Sequence, residues 1–166
     1  MKIIAIDPGY ERLGIAILEK ETGKETLVFS ECFKTLATEK HEERLRQIGE
    51  KIEKTIKEYK PEAMSIETLF FQTNAKTAMK VSEARGVILY TAAKNKLKIA
   101  EFTPLQIKVA VTGYGKSDKE QVIAMIPRLV KTEKVIKHDD EYDAIACGLT
   151  FFASTNKYTN IRMKRI

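Results

Sequence analysis

Four carboxylates in this chain sit where a merely solubilising acid has no need to be. Asp7 and Glu67 each close an apolar run, KIIAID and AMSIE, and Asp140 and Asp143 stand three residues apart ahead of the apolar stretch AIACGL. Each alone has a plain explanation. Asp7 in Asp-Pro-Gly is an ordinary turn residue, Glu67 a solvated strand end, and Asp140 a helix cap with Asp143 favourably placed in the first turn. Brought together they would mean something else, because crowded carboxylates raise one another's pKa and destabilise the fold unless cations are bound. Oxygen-only ligands suit Mg²⁺ or Mn²⁺. Zinc would want a Cys/His set, and Cys32 and Cys147 lie far apart without metal-ligand spacing. Two such ions about 3.5–4 Å apart can position an attacking water and stabilise a leaving 3′ oxygen, which is phosphodiester hydrolysis without a protein nucleophile.

The elements that would carry these acids follow from periodicity. Residues 2–7, 13–18 and 27–33 are rich in β-branched or alternating apolar residues and are joined by short turns, the pattern of an antiparallel meander. Residues 42–59 repeat Leu45, Ile48, Ile52, Ile56 and Tyr59 at helical steps, and Pro61 ends that helix. A short strand (63–67), a polar and aromatic loop (68–73), a long helix (74–95) and a strand (99–102) come next. Thr103-Pro104 opens a further helix that stops at Gly113-Tyr114-Gly115. Ser117 and Glu120 have capping-box spacing for the next helix, which Pro127 kinks or ends. A last helix spans about 140–154. Three antiparallel strands followed by crossovers describe an α/β ribonuclease-H-like fold: a mixed five-stranded sheet with helices on both faces. In such a sheet, ligand sites form beyond the carboxyl ends of parallel strands, where Asp7 and Glu67 would lie. Asp140 and Asp143, three apart on a helix, can point the same way.

At 166 residues, with no internal repeat or linker, the chain reads as one ribonuclease-H-like domain, 1–156, followed by a short basic tail, 157–166. No apolar run is long enough to cross a membrane, and the first residues read as a strand instead of a signal peptide. The expected setting is the cytoplasm, where two small buried cysteines stay reduced. A net charge of +6 suits a polyphosphate partner, although many basic proteins bind none. Met64, Met79 and Met125 read as core fillers.

Taken in order, Ile6-Asp7-Pro8-Gly9, Ile66-Glu67 followed by Phe70, Asn74-Ala75 with Ala84-Arg85-Gly86, and Asp140-x-x-Asp143-Ala144-Ile145-Ala146 resemble the RuvC family of Holliday-junction resolvases. The resemblance spans nearly the whole chain. It implies a homodimeric, Mg²⁺-dependent endonuclease that nicks two opposed strands of four-way junction DNA symmetrically, leaving 5′-phosphate and 3′-hydroxyl ends. It also implies cooperation with the RuvA–RuvB branch-migration complex in recombination and repair. Asp7, Glu67, Asp140 and Asp143 then take the catalytic, metal-binding positions. Lys108 and Lys119, flanking the Gly113–Gly115 loop, then match the family's DNA-binding surface, with Lys116 between them a further candidate, and Phe70 matches an aromatic that stacks on bases near the crossover. Without the resemblance these lysines are a solvated basic face. Arg85 and Gly86 are helix-packing residues, at or near the dimer contact.

The chain departs from the family pattern in places. Asp139 adjoins Asp140, so a shift of one residue at the helix start exchanges their roles. His138 reads as a loop residue, and Tyr142 stands where relatives carry a small residue. Two rival readings share the early Asp-x-Gly strand. A nuclease that trims structured RNA precursors matches the Ala84-Arg85-Gly86 and Gly-Tyr-Gly-Lys features less well, and an actin-like phosphotransferase needs a second domain. An inactive DNA-binding module predicts the loss of an acid, and all four are present.

Overall fold

The computed structural model describes residues 1–69 and 75–162. The elements in chain order are β1 (Lys2–Asp7), β2 (Arg12–Glu19), β3 (Glu25–Lys34), α1 (His41–Tyr59), β4 (Ala63–Glu67), α2 (Ala75–Lys94), β5 (Lys98–Phe102), α3 (Pro104–Thr112), α4 (Lys119–Leu129), β6 (Val130–Lys131) and α5 (Asp139–Arg162). They form a mixed sheet in the order β5-β4-β1-β2-β3-β6. The β1, β2 and β3 neighbours are antiparallel, whereas β4 on β1, β5 on β4 and β6 on β3 are parallel.

Both faces of the central strands are apolar because both are covered. In β1, Ile3 and Ala5 face a core completed by α3, α4 and α5, while Ile4 and Ile6 face a second core against α1 and α2. The period-2 geometry of a strand makes this division automatic. On α1, Ile48, Ile52 and Ile56 recur every fourth residue and form the buried stripe that meets the sheet.

The differences from expectation are local. The sheet has six strands and not five, because the two-residue β6 adds to its edge beside Glu25 and Thr26. The capping box of α4 is built one residue later than expected. Asp118 accepts from the Gln121 amide and the Gln121 side chain accepts from the Asp118 amide, while the Ser117 hydroxyl turns back to the Tyr114 carbonyl at 2.8 Å. Pro127 does not end α4; it sits in the last turn, where its lack of an N–H leaves the Ile123 carbonyl without that helix bond. The last helix runs to Arg162, so residues 157–162 continue it. Met64 is buried and Met125 packs partly buried against the core, but Met79 is 66% exposed and fills none.

Two glycines set how closely α5 lies on the sheet. A Cβ on Gly148 would stand 2.6 Å from Leu18 Cδ1 and 3.0 Å from Ala5 Cβ. A Cβ on Gly14 would meet the Asp140 carbonyl oxygen at 2.1 Å and Asp7 Cβ at 3.0 Å. The missing side chains let the helix start rest directly over the end of β1.

Candidate active site

Asp7 and Glu67 end adjacent parallel strands, and the pairing of Ile6 with Ile66 sets them side by side at the sheet's carboxyl edge. Both follow the odd-numbered side of their strands, the side that α5 covers. The first turns of α5 lie over this edge and bring Asp140 and Asp143 to it. Glu67 is also fixed from outside: Arg85 on α2 donates from Nε to the Glu67 carbonyl at 3.2 Å and pairs with Glu101 on β5. Arg85 therefore ties the ends of β4 and β5 to α2.

The electrostatics agree with this convergence. Burial, reinforced by the charges of Glu67, Asp143 and Asp140, holds the Asp7 carboxyl well above the usual carboxylate range. Burial and Asp143 push Glu67 up to about 7. Asp143 is also raised by burial, with the Lys119 ammonium opposing the shift. Crowded, desolvated acids with raised pKa values mark a candidate functional site.

Two side-chain cations already touch it. Arg12 donates from Nε to Asp140 Oδ2 at 2.9 Å and from its terminal nitrogen to Asp139 Oδ1 at 2.8 Å and to Asp140. Lys119 donates to Asp139 Oδ2 at 2.9 Å and to Asp143 Oδ2 at 3.0 Å. Lys119 also holds the Asp139 carboxyl down, at about 2. The neighbouring acids differ: the Asp139 side chain is 51% exposed and Asp140 17%, and of the two it is Asp140 whose charge raises Asp7.

The donor chemistry fits a hard divalent ion, since Asp7, Glu67, Asp140 and Asp143 offer only carboxylate oxygen. Among the described residues no three His, Cys, Asp or Glu side chains form a ready-made metal cage; Asp140 and Asp143 instead engage Arg12 and Lys119. Cys147 lies beneath the acids, but burial drives its thiol up to about 12 and its sulfur sits 3.2 Å from the Ser65 hydroxyl. It is a packing residue.

Of the residues expected to meet DNA, Lys108 and Lys119 line a pocket of about 170 Å³ together with Glu67 and Asp143. Lys116 is exposed on the connection between α3 and α4 and does not line that pocket. Phe70 lies outside the described residues. The larger groove, about 990 Å³ between α1 and α2, contains none of the four acids. Reading the sequence alone overlooked Arg12 and the strand-end role of Arg85. Arg85 was visible as part of a motif without its contact being evident. Arg12 carried no signal, because its partners lie more than a hundred residues away in the chain.

Comparison with known proteins places this geometry in a family. The family model described as crossover junction endodeoxyribonuclease RuvC matches residues 3–151. The crossover junction endodeoxyribonuclease RuvC of Thermosipho melanesiensis is 45% identical over 146 residues, covering 88% of this chain and 93% of that protein. Its counterpart in Alkaliphilus metalliredigens is 44% identical over 149 residues, covering 90% and 91%. Among solved structures, Thermus thermophilus RuvC in complex with Holliday junction substrate superposes with a TM-score of 0.89 at 28% identity, covering 96% of this chain and 97% of that one. The ordered motifs, the ribonuclease-H-like sheet and the gathered carboxylates thus have one explanation: the chain belongs to the RuvC family of crossover junction endodeoxyribonucleases.

Proposed function

We propose that the chain resolves Holliday junctions by metal-dependent hydrolysis of phosphodiester bonds in two opposed strands, leaving 5′-phosphate and 3′-hydroxyl ends. One observation carries the reading: Asp7, Glu67, Asp140 and Asp143 come from three separate elements to one sheet edge, where burial and mutual repulsion raise Asp7, Glu67 and Asp143. These residues would hold two Mg²⁺ ions, with Mn²⁺ as a substitute. When bound, such ions supply an oriented attacking water and charge stabilisation at the leaving 3′ oxygen. The chain's own part is to present fixed carboxylate oxygens from rigid strand ends and one helix, so that little reorganisation is needed during the reaction.

Lys108, Lys116 and Lys119 would bind backbone phosphates, which provide affinity and orientation but little sequence information. Phe70 would stack on bases near the crossover. Symmetric nicking calls for a homodimer, and the exposed Met79 and Tyr90 on α2 favour that helix as part of the contact. The RuvA–RuvB complex would present the junction. No helix among the described residues is long and apolar enough to cross a membrane, and we assign the reaction to the cytoplasm with chromosomal DNA.

The test is a mobile four-way junction incubated with and without Mg²⁺, with nicks mapped on all four strands. Paired nicks in two opposed strands are expected only with the metal. Asp7→Asn should abolish them and leave junction binding intact or slightly tighter, since a negative charge near phosphate is gone. Normal nicking by the folded variant, or preferential cutting of a structured RNA, would overturn the reading.

A further inference from the structure

Arg12 has no part in the reading above, yet it holds one of the four acids. It opens β2, and its guanidinium reaches across to the start of α5. Asp140 Oδ2 receives Arg12 Nε at 2.9 Å, the Arg12 terminal nitrogen and, at 3.4 Å, the Cys32 thiol. That oxygen already takes the guanidinium's donors, and a divalent ion that used it would compete with them for its lone pairs. Arg12 is held a second way, because its terminal nitrogen also reaches Asp139 Oδ1 at 2.8 Å. Asp7 and Glu67, by contrast, form no ion pair among the described residues.

We propose that Arg12 is a competing counter-cation for the metal site. In the metal-free protein it occupies Asp140, and it gives Asp140 up when a divalent ion binds, remaining tethered through the more exposed Asp139. The proposal rests on the assignment of Asp140 as a metal ligand. Its physical basis is simple competition: a ligand that binds only the released form has its affinity reduced by the fraction released. Both guanidinium nitrogens converge on the single oxygen Oδ2, and the Arg12 side chain is 44% exposed to screening solvent, so the competition is modest in size. Asp139 explains why the cation is retained, since it gives the guanidinium a carboxylate that the metal does not need.

The experiment is calorimetric titration of Mn²⁺ into the metal-free full-length protein without DNA, comparing wild type, Arg12→Gln and Lys34→Gln. Lys34 is the control because it faces Arg12 across the β2–β3 register, carries the same charge and is exposed, without an ion pair to the acids. Arg12→Gln should bind Mn²⁺ about two- to fivefold more tightly, the range that breaking one such ion pair implies. Lys34→Gln should match wild type. Arg12→Lys keeps the charge but loses the two-nitrogen grip, so its affinity should fall between the two; it carries the comparison if Arg12→Gln does not fold. Equal tightening in Arg12→Gln and Lys34→Gln would reduce the effect to net charge and overturn the proposal. Unchanged or weaker binding by Arg12→Gln would overturn it as well. If wild type binds no Mn²⁺, the metal reading itself fails and takes this proposal with it, an outcome distinct from the other two.

Discussion

Glu67 shows at single-residue scale what the gathering of acids costs. Its carboxyl titrates at about 7, against an ordinary value of 4.5, because burial and the charge of Asp143 disfavour ionisation. The folded protein therefore keeps a proton that the unfolded chain gives up near 4.5. Between those two values the native state binds more protons than the unfolded one, so stability falls as pH rises. The raised carboxyls of Asp7 and Asp143 act in the same direction. The lowered acids, such as Asp139, lose their contribution only under more acidic conditions, so they do not confuse this window. Thermal melting in chelator should thus give a higher Tm at about pH 5 than at about pH 8. Glu67→Gln should flatten part of that dependence, and added Mg²⁺ should restore stability at the higher pH. An identical pH slope in wild type and Glu67→Gln would show that Glu67 is not strained by its neighbours.

At the scale of elements, the site depends on how α5 crosses the end of β1. Gly14 permits this: a methyl group there would stand 2.1 Å from the Asp140 carbonyl oxygen, which belongs to backbone and cannot swing aside. Gly14→Ala should destabilise the fold by about 1–3 kcal/mol, as overpacking does. It should also reduce cleavage beyond the loss of folded molecules, because Asp140 and Asp143 are lifted from Asp7 and Glu67. Denaturant unfolding beside single-turnover cleavage checks both, and unchanged stability would mean that the helix start moves freely. The sequence makes the contributing segments legible because KIIAID and AMSIE are apolar on both faces and end in acids, while α1 repeats every fourth residue. It does not reveal β6, which is too short to carry a pattern. The capping of α4 is off by one because Ser117 and Asp118 are adjacent candidates, and only hydrogen bonding separates them. The Arg12 contact depends on the crossing of β2 and α5, a tertiary event that no local spacing records.

At the scale of the whole molecule, a net charge of +6 coexists with a site that is locally acidic, so lysines near that edge have divided duties. Lys119 is engaged with Asp139 and Asp143. Lys108 shares the pocket with Glu67 and Asp143 yet forms no ion pair among the described residues, which leaves its charge available to a phosphate. The two should therefore behave differently when removed. Lys108→Ala should weaken junction binding about equally for all sequences and lower the slope of log affinity against log salt by about 0.9 for each phosphate no longer neutralised. Melting of the metal-free protein should be nearly unchanged, since no internal partner is stranded. Lys119→Ala should reduce the slope too, but it also leaves Asp143 without its counter-charge, so the metal-free protein should melt earlier and recover when Mg²⁺ is added. Binding measured across a salt series, with melting at each metal condition, distinguishes the two lysines. A Lys108→Ala variant with an unchanged salt slope but an altered choice of cleavage site would mean that Lys108 reads bases instead of holding backbone.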